Sequence, residues 1–151
     1  MIAYEKLEVY QLSLDCIESC VAVVQAVPKV YSELSNQLKR AIFSVSLNIA
    51  EGAGKSGFCD KKRFYEIAKG SAMESAAVLD ILHRLKFIED EKYRKLKGLL
   101  HRVISMLSKL CFNLAQRDTE NGRRPRPRKT ASVLSCQKRE CCTLSVIWIS
   151  L

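Results

Sequence analysis

Few residues in this sequence could carry out chemistry, and their spacing decides most of the cases. In "SLNIAEGAGKSGF" (Ser46 to Phe58) the string G-A-G-K-S matches the tail of a phosphate-binding loop. That loop requires G-x-x-x-x-G-K-[ST], because its first glycine lets the backbone amides turn around the phosphates. With Gly54-Lys55-Ser56 as the end, the first glycine must fall at position 49, which is Ile49. A phosphate loop also follows a buried strand, whereas Leu38, Ile42, Val45 and Ile49 are spaced as one face of a helix. The stretch reads as a helix that ends at glycines.

Metal and nucleophile chemistry fare no better. Cys16 and Cys20 stand four apart on one helix face, but no second Cys/His pair matches them, so inert, half-buried thiols are expected. Cys136, Cys141 and Cys142 also lack histidine partners. His83 and His101 are the only histidines, with no Ser or Cys at a spacing that implies a triad. Glu51, Glu74 and Asp80 could line a carboxylate metal site in a bundle core. The di-iron pattern, however, needs E-x-x-H pairs, and neither histidine follows a glutamate by three. No enzyme, metal or cofactor is expected.

Basic residues are more informative. Lys55, Lys61, Lys62 and Arg63 gather around Phe58, a composition that could hold phosphates while the aromatic ring stacks on a base. A second group, Lys92, Arg94, Lys95 and Lys97, is weakened by the neighbouring Glu89, Asp90 and Glu91. The net charge of +9 over 151 residues is unevenly divided. Residues 121–151 hold seven Lys/Arg and one Glu (+6), whereas residues 1–120 hold 18 Lys/Arg and 15 Asp/Glu (+3). The high isoelectric point, about 9.3, therefore describes the tail.

Four long helices are predicted to position these groups. The first spans Tyr4 to Ala26, with Leu7, Tyr10, Leu14, Ile17, Val21 and Val24 as its seam, and stops at Pro28. The second runs from Glu33 to Gly52. The third runs from Asp60, as its cap, to Phe87, with Phe64, Ala68, Ser71, Ser75, Val78, Leu82 and Leu85 inward. The fourth starts in "EDEKYRKL", whose acids suit the positive end of a helix dipole, and buries Leu96, Leu100, Val103, Leu107, Leu110 and Leu114. Short connections between long amphipathic helices favour an all-α, antiparallel up-and-down four-helix bundle. The bundle is expected over residues 1–118, followed by a basic, extended and mobile segment over 119–151. No apolar run is long enough to span a membrane, and "MIAYEKLEVYQ" lacks a signal core, so a cytoplasmic location is expected. Seven irregularly spaced cysteines agree with a reducing compartment.

Two seams are unusual. "KGSAMESAA" crowds Gly70, Ser71, Ala72, Ser75, Ala76 and Ala77 into two turns; a helical glycine costs about 1 kcal/mol against alanine and wants a packing reason. Ser44, Asn48 and Glu51 add a polar stripe to the second helix. That stripe is either a solvated face or a buried network with Ser71, Ser75 or Glu74.

"QLKRAIFSVSLNIAEGAGKS" followed by "RFYEIAKGSAMESAAVLD" resembles the proteins encoded in intervening sequences of bacterial 23S ribosomal RNA genes, relatives of the accessory variability proteins of diversity-generating retroelements. The matching positions are Gln37, Arg40, Ala41, Ser44, Val45, Asn48, Ile49, Ala50, Glu51 and Gly52, then Phe64, Ile67, Ala68, Lys69, Gly70, Ser71 and Glu74. The resemblance covers about residues 4–115 and implies a four-helix bundle assembled as a homopentamer. It also implies two roles: a non-enzymatic adaptor that binds nucleic acid, RNA above all, or a module that docks a reverse transcriptase. A ring of five +3 cores would carry +15, or +45 with five tails at the full +9, so a weak patch would become multivalent.

Overall fold

The computed structural model describes residues 2–120. After a 3-10 turn at Ala3–Lys6 come four helices: α1 (Glu8–Ala26), α2 (Ser32–Gly54), α3 (Phe58–Arg84) and α4 (Asp90–Glu120). A second 3-10 turn, Lys29–Tyr31, joins α1 to α2. There is no strand among the described residues. The expected basic extension lies outside them, except that Thr119 and Glu120 continue α4.

The four helices form a bundle around one apolar core. On α2, Leu38, Ile42, Val45 and Ile49 are all buried, as their spacing predicts. On α4, Leu96, Leu100, Val103, Leu107 and Leu114 are buried, with Cys111 beside them, while Leu110 is only half-buried. The inward face of α3 is rotated from the expected one. Ala68, Ser75, Val78 and Leu82 are buried, but Tyr65, Ala72 and Leu79 replace Phe64, Ser71 and Leu85. Small side chains dominate this stripe, and Tyr65 follows Phe64 directly, so local hydrophobicity alone could not choose between the two rings.

Helix α1 departs most from expectation. Its buried face is Val9, Leu12, Ser13, Cys16, Cys20 and Val23, whereas Leu14 and Val21 are each 39% exposed. Leu7, Tyr10, Ile17 and Val24 pack only at the margin of the core. Apolar residues surround most of α1, so two stripes satisfy the three-and-four spacing. A tertiary contact distinguishes them: the Ser13 and Ser46 hydroxyls meet at 2.8 Å in the interior, Ser46 donating to Ser13 while Ser13 donates to the Tyr10 carbonyl at 2.6 Å. That pairing requires Ser13 to face α2. Cys16 and Cys20 turn inward with it and are fully buried.

The ends of the helices also differ from the expected ones. α2 continues past Gly52 to Gly54, and Gly57 rather than Asp60 occupies the cap of α3, with Asp60 in its first turn. α3 stops at Arg84 through a two-bond closure: the Lys86 amide donates to the His83 carbonyl and the Phe87 amide to that of Leu82. Lys86 adopts the left-handed conformation this closure needs, at φ 63°. The chain then doubles back so that Phe87 meets Tyr31 of the α1–α2 connection, ring centroids 5.0 Å apart.

Candidate nucleic-acid interface

The contact of α2 with α3 places the candidate site. Gly52 is buried in the last turns of α2, and a Cβ there would lie 2.7 Å from Cε1 of Tyr65 and 3.1 Å from Cβ of Phe64. Its missing side chain thus lets the start of α3 close onto the end of α2. Phe64, next to that contact, is half-buried at the edge. Lys55 Nζ sits 4.7 Å from its ring centroid and the Arg63 guanidinium 5.9 Å away, both within cation–π range. The aromatic in this patch is therefore Phe64, since Phe58 packs against the core instead.

The four basic residues do not form one flat cluster. Successive residues on a helix are about 100° apart, so Lys61, Lys62 and Arg63 fan around α3. Arg63 faces outward near Lys55, while Lys62 lies beside α4, its carbonyl 3.9 Å from the Cys111 sulfur. Two of the charges are partly compensated: Lys55 pairs with Glu51 at 3.1 Å and Lys62 with Glu66 at 3.6 Å. Among the described residues, Lys61 and Arg63 show no ion pair. This is also the end of the bundle where α4 terminates, because the Cys59 thiol donates to Asp118 at 3.2 Å. The basic run from Arg123 to Lys129 follows only a few residues later in sequence.

The polar stripe of α2 is divided between the half-buried seam and the surface. The Ser44 and Ser71 hydroxyls meet at 2.9 Å across the α2–α3 seam, and Ser75 donates to the Ser71 carbonyl at 2.9 Å. Asn48 does not cross to α3 through any observed bond; its amide donates to the carbonyl and hydroxyl of Ser44, one turn back. Glu51 and Glu74 are exposed, and Glu74 accepts a hydrogen bond from Gln37. Their long side chains reach solvent or neighbouring polar groups, so burial without a cation is avoided. Arg40 is exposed beside this stripe. Gly70 also faces outward, with nothing within 4 Å of an added Cβ, so no contact inside the subunit accounts for it.

Reactive groups are not brought together. Burial, with a smaller contribution from Asp15, pushes the Cys16 thiol up to about 12; burial, then Cys16 itself, does the same to Cys20. Burial also raises the Cys111 thiol and the Tyr65 hydroxyl. These groups are poor nucleophiles. Glu51, Glu74 and Asp80 take separate partners, and no metal-binding cluster is found among the described residues. Sequence spacing missed a chain of side chains where α3 meets α4. His83 Nε2 lies 2.7 Å from Asp90 and stacks on Tyr93 (centroids 4.1 Å apart), and the Tyr93 hydroxyl donates to Asp80, which also pairs with Lys97. It clasps the outside of the hairpin.

The fold and the patch together define a helical bundle with a cation-flanked aromatic at one end. Residues 5–109 match the family described as 23S rRNA-intervening sequence protein, and the chain belongs to that family. A solved structure from Bacteroides thetaiotaomicron, described as a protein of unknown function from the S23 ribosomal protein family, shares the fold. It is 23% identical, with a TM-score of 0.63, over 68% of this chain and 97% of that one. Neither description names an enzymatic activity. No curated protein matches the sequence. No helix among the described residues is long and apolar enough to cross a membrane.

Proposed function

We propose that this protein is a non-enzymatic nucleic-acid-binding adaptor, RNA being the favoured ligand. Its bundle, residues 1–118 in an antiparallel up-and-down arrangement, forms a homopentamer that repeats the patch around a ring. The observation that carries the reading is Phe64 with Lys55 and Arg63 both within cation–π range of its ring, at the end of the bundle where α4 terminates. Phosphates would meet Lys55, Lys61, Lys62 and Arg63 while Phe64 offers a ring edge to a base. Assembly is supported by apolar residues left on the outside of α2 and α3: Phe43, Leu47 and Met73 are 43%, 69% and 57% exposed. Arg40, Glu74 and the open notch at Gly70 lie among them on the same two helices. Ser44, Ser71 and Gly52 join the hairpin that presents this face, and Asn48 braces Ser44 from within α2.

The same apolar face supports a second reading, a module that docks a protein such as a reverse transcriptase. One experiment separates the two. Protein truncated after Glu120 keeps every core residue among the described ones but loses the seven basic residues of the tail. It should sediment as about five subunits and bind structured RNA, with affinity falling steeply as salt rises. Lys61→Glu/Lys62→Glu/Arg63→Glu should abolish binding without dissociating the assembly, because exposed charges contribute little to folding. Binding that vanishes on truncation alone would assign it to the tail. A truncated assembly that ignores RNA at low salt but captures a reverse transcriptase favours the docking module, and a monomer at micromolar concentration removes the ring.

A further inference from the structure

A separate concavity lies at the other end of α4, between its first turns and the last turns of α1. It encloses about 260 Å³, just under the roughly 300 Å³ at which drug-sized sites begin. The cleft exists because α1 presents Ala22 and Ala26, one turn apart, where larger side chains would fill the space. Its apolar lining comes from the buried Val23, Ile88 and Leu96, with Phe87 as a side wall.

The rim carries Glu89, Lys92 and Lys95, a net charge of one positive because the first two pair with each other. Of the four basic residues at the start of α4, Lys92 pairs with Glu89 at 3.1 Å, Lys97 with Asp80, and Arg94 donates to the Asp90 carbonyl at 3.2 Å. Lys95 alone of the four shows no ion pair or hydrogen bond among the described residues, and it borders the cleft. Ser19 lines the α1 side of the cleft. An apolar hollow with one uncompensated cation at its mouth complements an amphiphile with one negative charge.

We propose that this cleft is a binding site for a small amphiphilic carboxylate, its chain between Ala22, Ala26 and Phe87 and its carboxylate at Lys95. The site is distinct from the Phe64 patch and does not depend on it. The test titrates decanoate into the full chain, below its micelle concentration, and follows backbone amides by NMR. Decyltrimethylammonium, with the same chain and opposite charge, serves as the comparison. Saturable shifts should centre on Val23, Phe87, Ile88 and Leu96 for decanoate and be absent for the cation. Lys95→Glu, at an exposed position, should weaken decanoate about tenfold, while Lys109→Glu, far along α4, should leave it unchanged. Ala26→Leu and Ala22→Leu each occupy the hollow without harming helix propensity, and both should abolish the shifts. Equal binding of the cation would overturn the proposal. So would shifts spread over Leu14, Leu47, Met73 and Phe112, or affinity indifferent to Lys95→Glu and to both leucines.

Discussion

The contact between α2 and α3 and the docking of α1 are held by different physics. Between α2 and α3 shape decides: Gly52 admits Tyr65 where any side chain would collide, and Ser44 meets Ser71 across the seam. On α1 apolar burial decides, with one polar pair, Ser13 and Ser46, to choose the face. A helix that is apolar on most sides gains nearly as much from a rotated position, because burial is not directional. A glycine under a tyrosine has one register. The region that presents the basic patch is therefore built on the more specific contact.

The largest expected effect separates α1 from the rest at high pH. Cys16 and Cys20 sit at about 12 when folded, against an ordinary value of 9.0. A raised folded value contributes stability that is complete below the unfolded value and is lost as pH rises through the window from 9 to about 12. Each thiol should cost roughly 1.4 kcal/mol per pH unit in that window, so about 2–3 kcal/mol at pH 10 for the two. Cys16→Ala/Cys20→Ala should flatten this slope in denaturant melts at pH 8 and pH 10. An equal slope in both proteins would mean that α1 is not docked through these thiols.

Next comes Gly52→Ala, which breaks the other side of the comparison. Its Cβ at 2.7 Å from a buried ring forces α3 away from α2, and overpacking of this kind costs about 1–3 kcal/mol. The variant should also weaken the proposed RNA binding, since Phe64 moves with Tyr65. Wild-type stability and binding together would show that the hairpin has slack at this point.

Smallest is the serine pair. Ser13→Ala leaves the Ser46 hydroxyl buried without its partner and should cost about 1 kcal/mol. Ser13→Ala/Ser46→Ala should cost less than the two single changes added, because no polar group is then stranded. Strict additivity would mean that the pair does not choose the face of α1.

Several features were legible in the sequence. The second helix repeats Leu38, Ile42, Val45 and Ile49 at unbroken steps of four, three and four, so its buried residues followed from spacing even though Phe43 and Leu47 stay outside, and α4 was nearly as clear with charges on its other sides. The family motif also located the α2–α3 hairpin. In the patch, Lys55 and Arg63 were legible as basic residues, but their aromatic partner was not. Phe58 and Phe64 flank the same basic run and are both half-buried, and only the packing of α3 in three dimensions sets Phe58 against the core and leaves Phe64 beside Lys55 and Arg63. Gly52 itself was read as a helix terminator, since a missing side chain in sequence does not reveal what approaches it in space.

By itself, then, the sequence determined that the chain is helical, which faces of α2 and α4 are buried, and that no phosphate loop or metal motif is present among its spacings. These are one-dimensional properties: periodicity, breakers, and residue types at fixed offsets. Tertiary structure decided the rotation of α1, the replacement of Phe64 by Tyr65 in the core, and the division of the Ser44–Asn48–Glu51 stripe into a half-buried hydroxyl pair at the seam and an exposed carboxylate. Each of those choices lies between alternatives of nearly equal local hydrophobicity. They are settled by hydrogen-bond satisfaction and steric fit between segments distant in sequence.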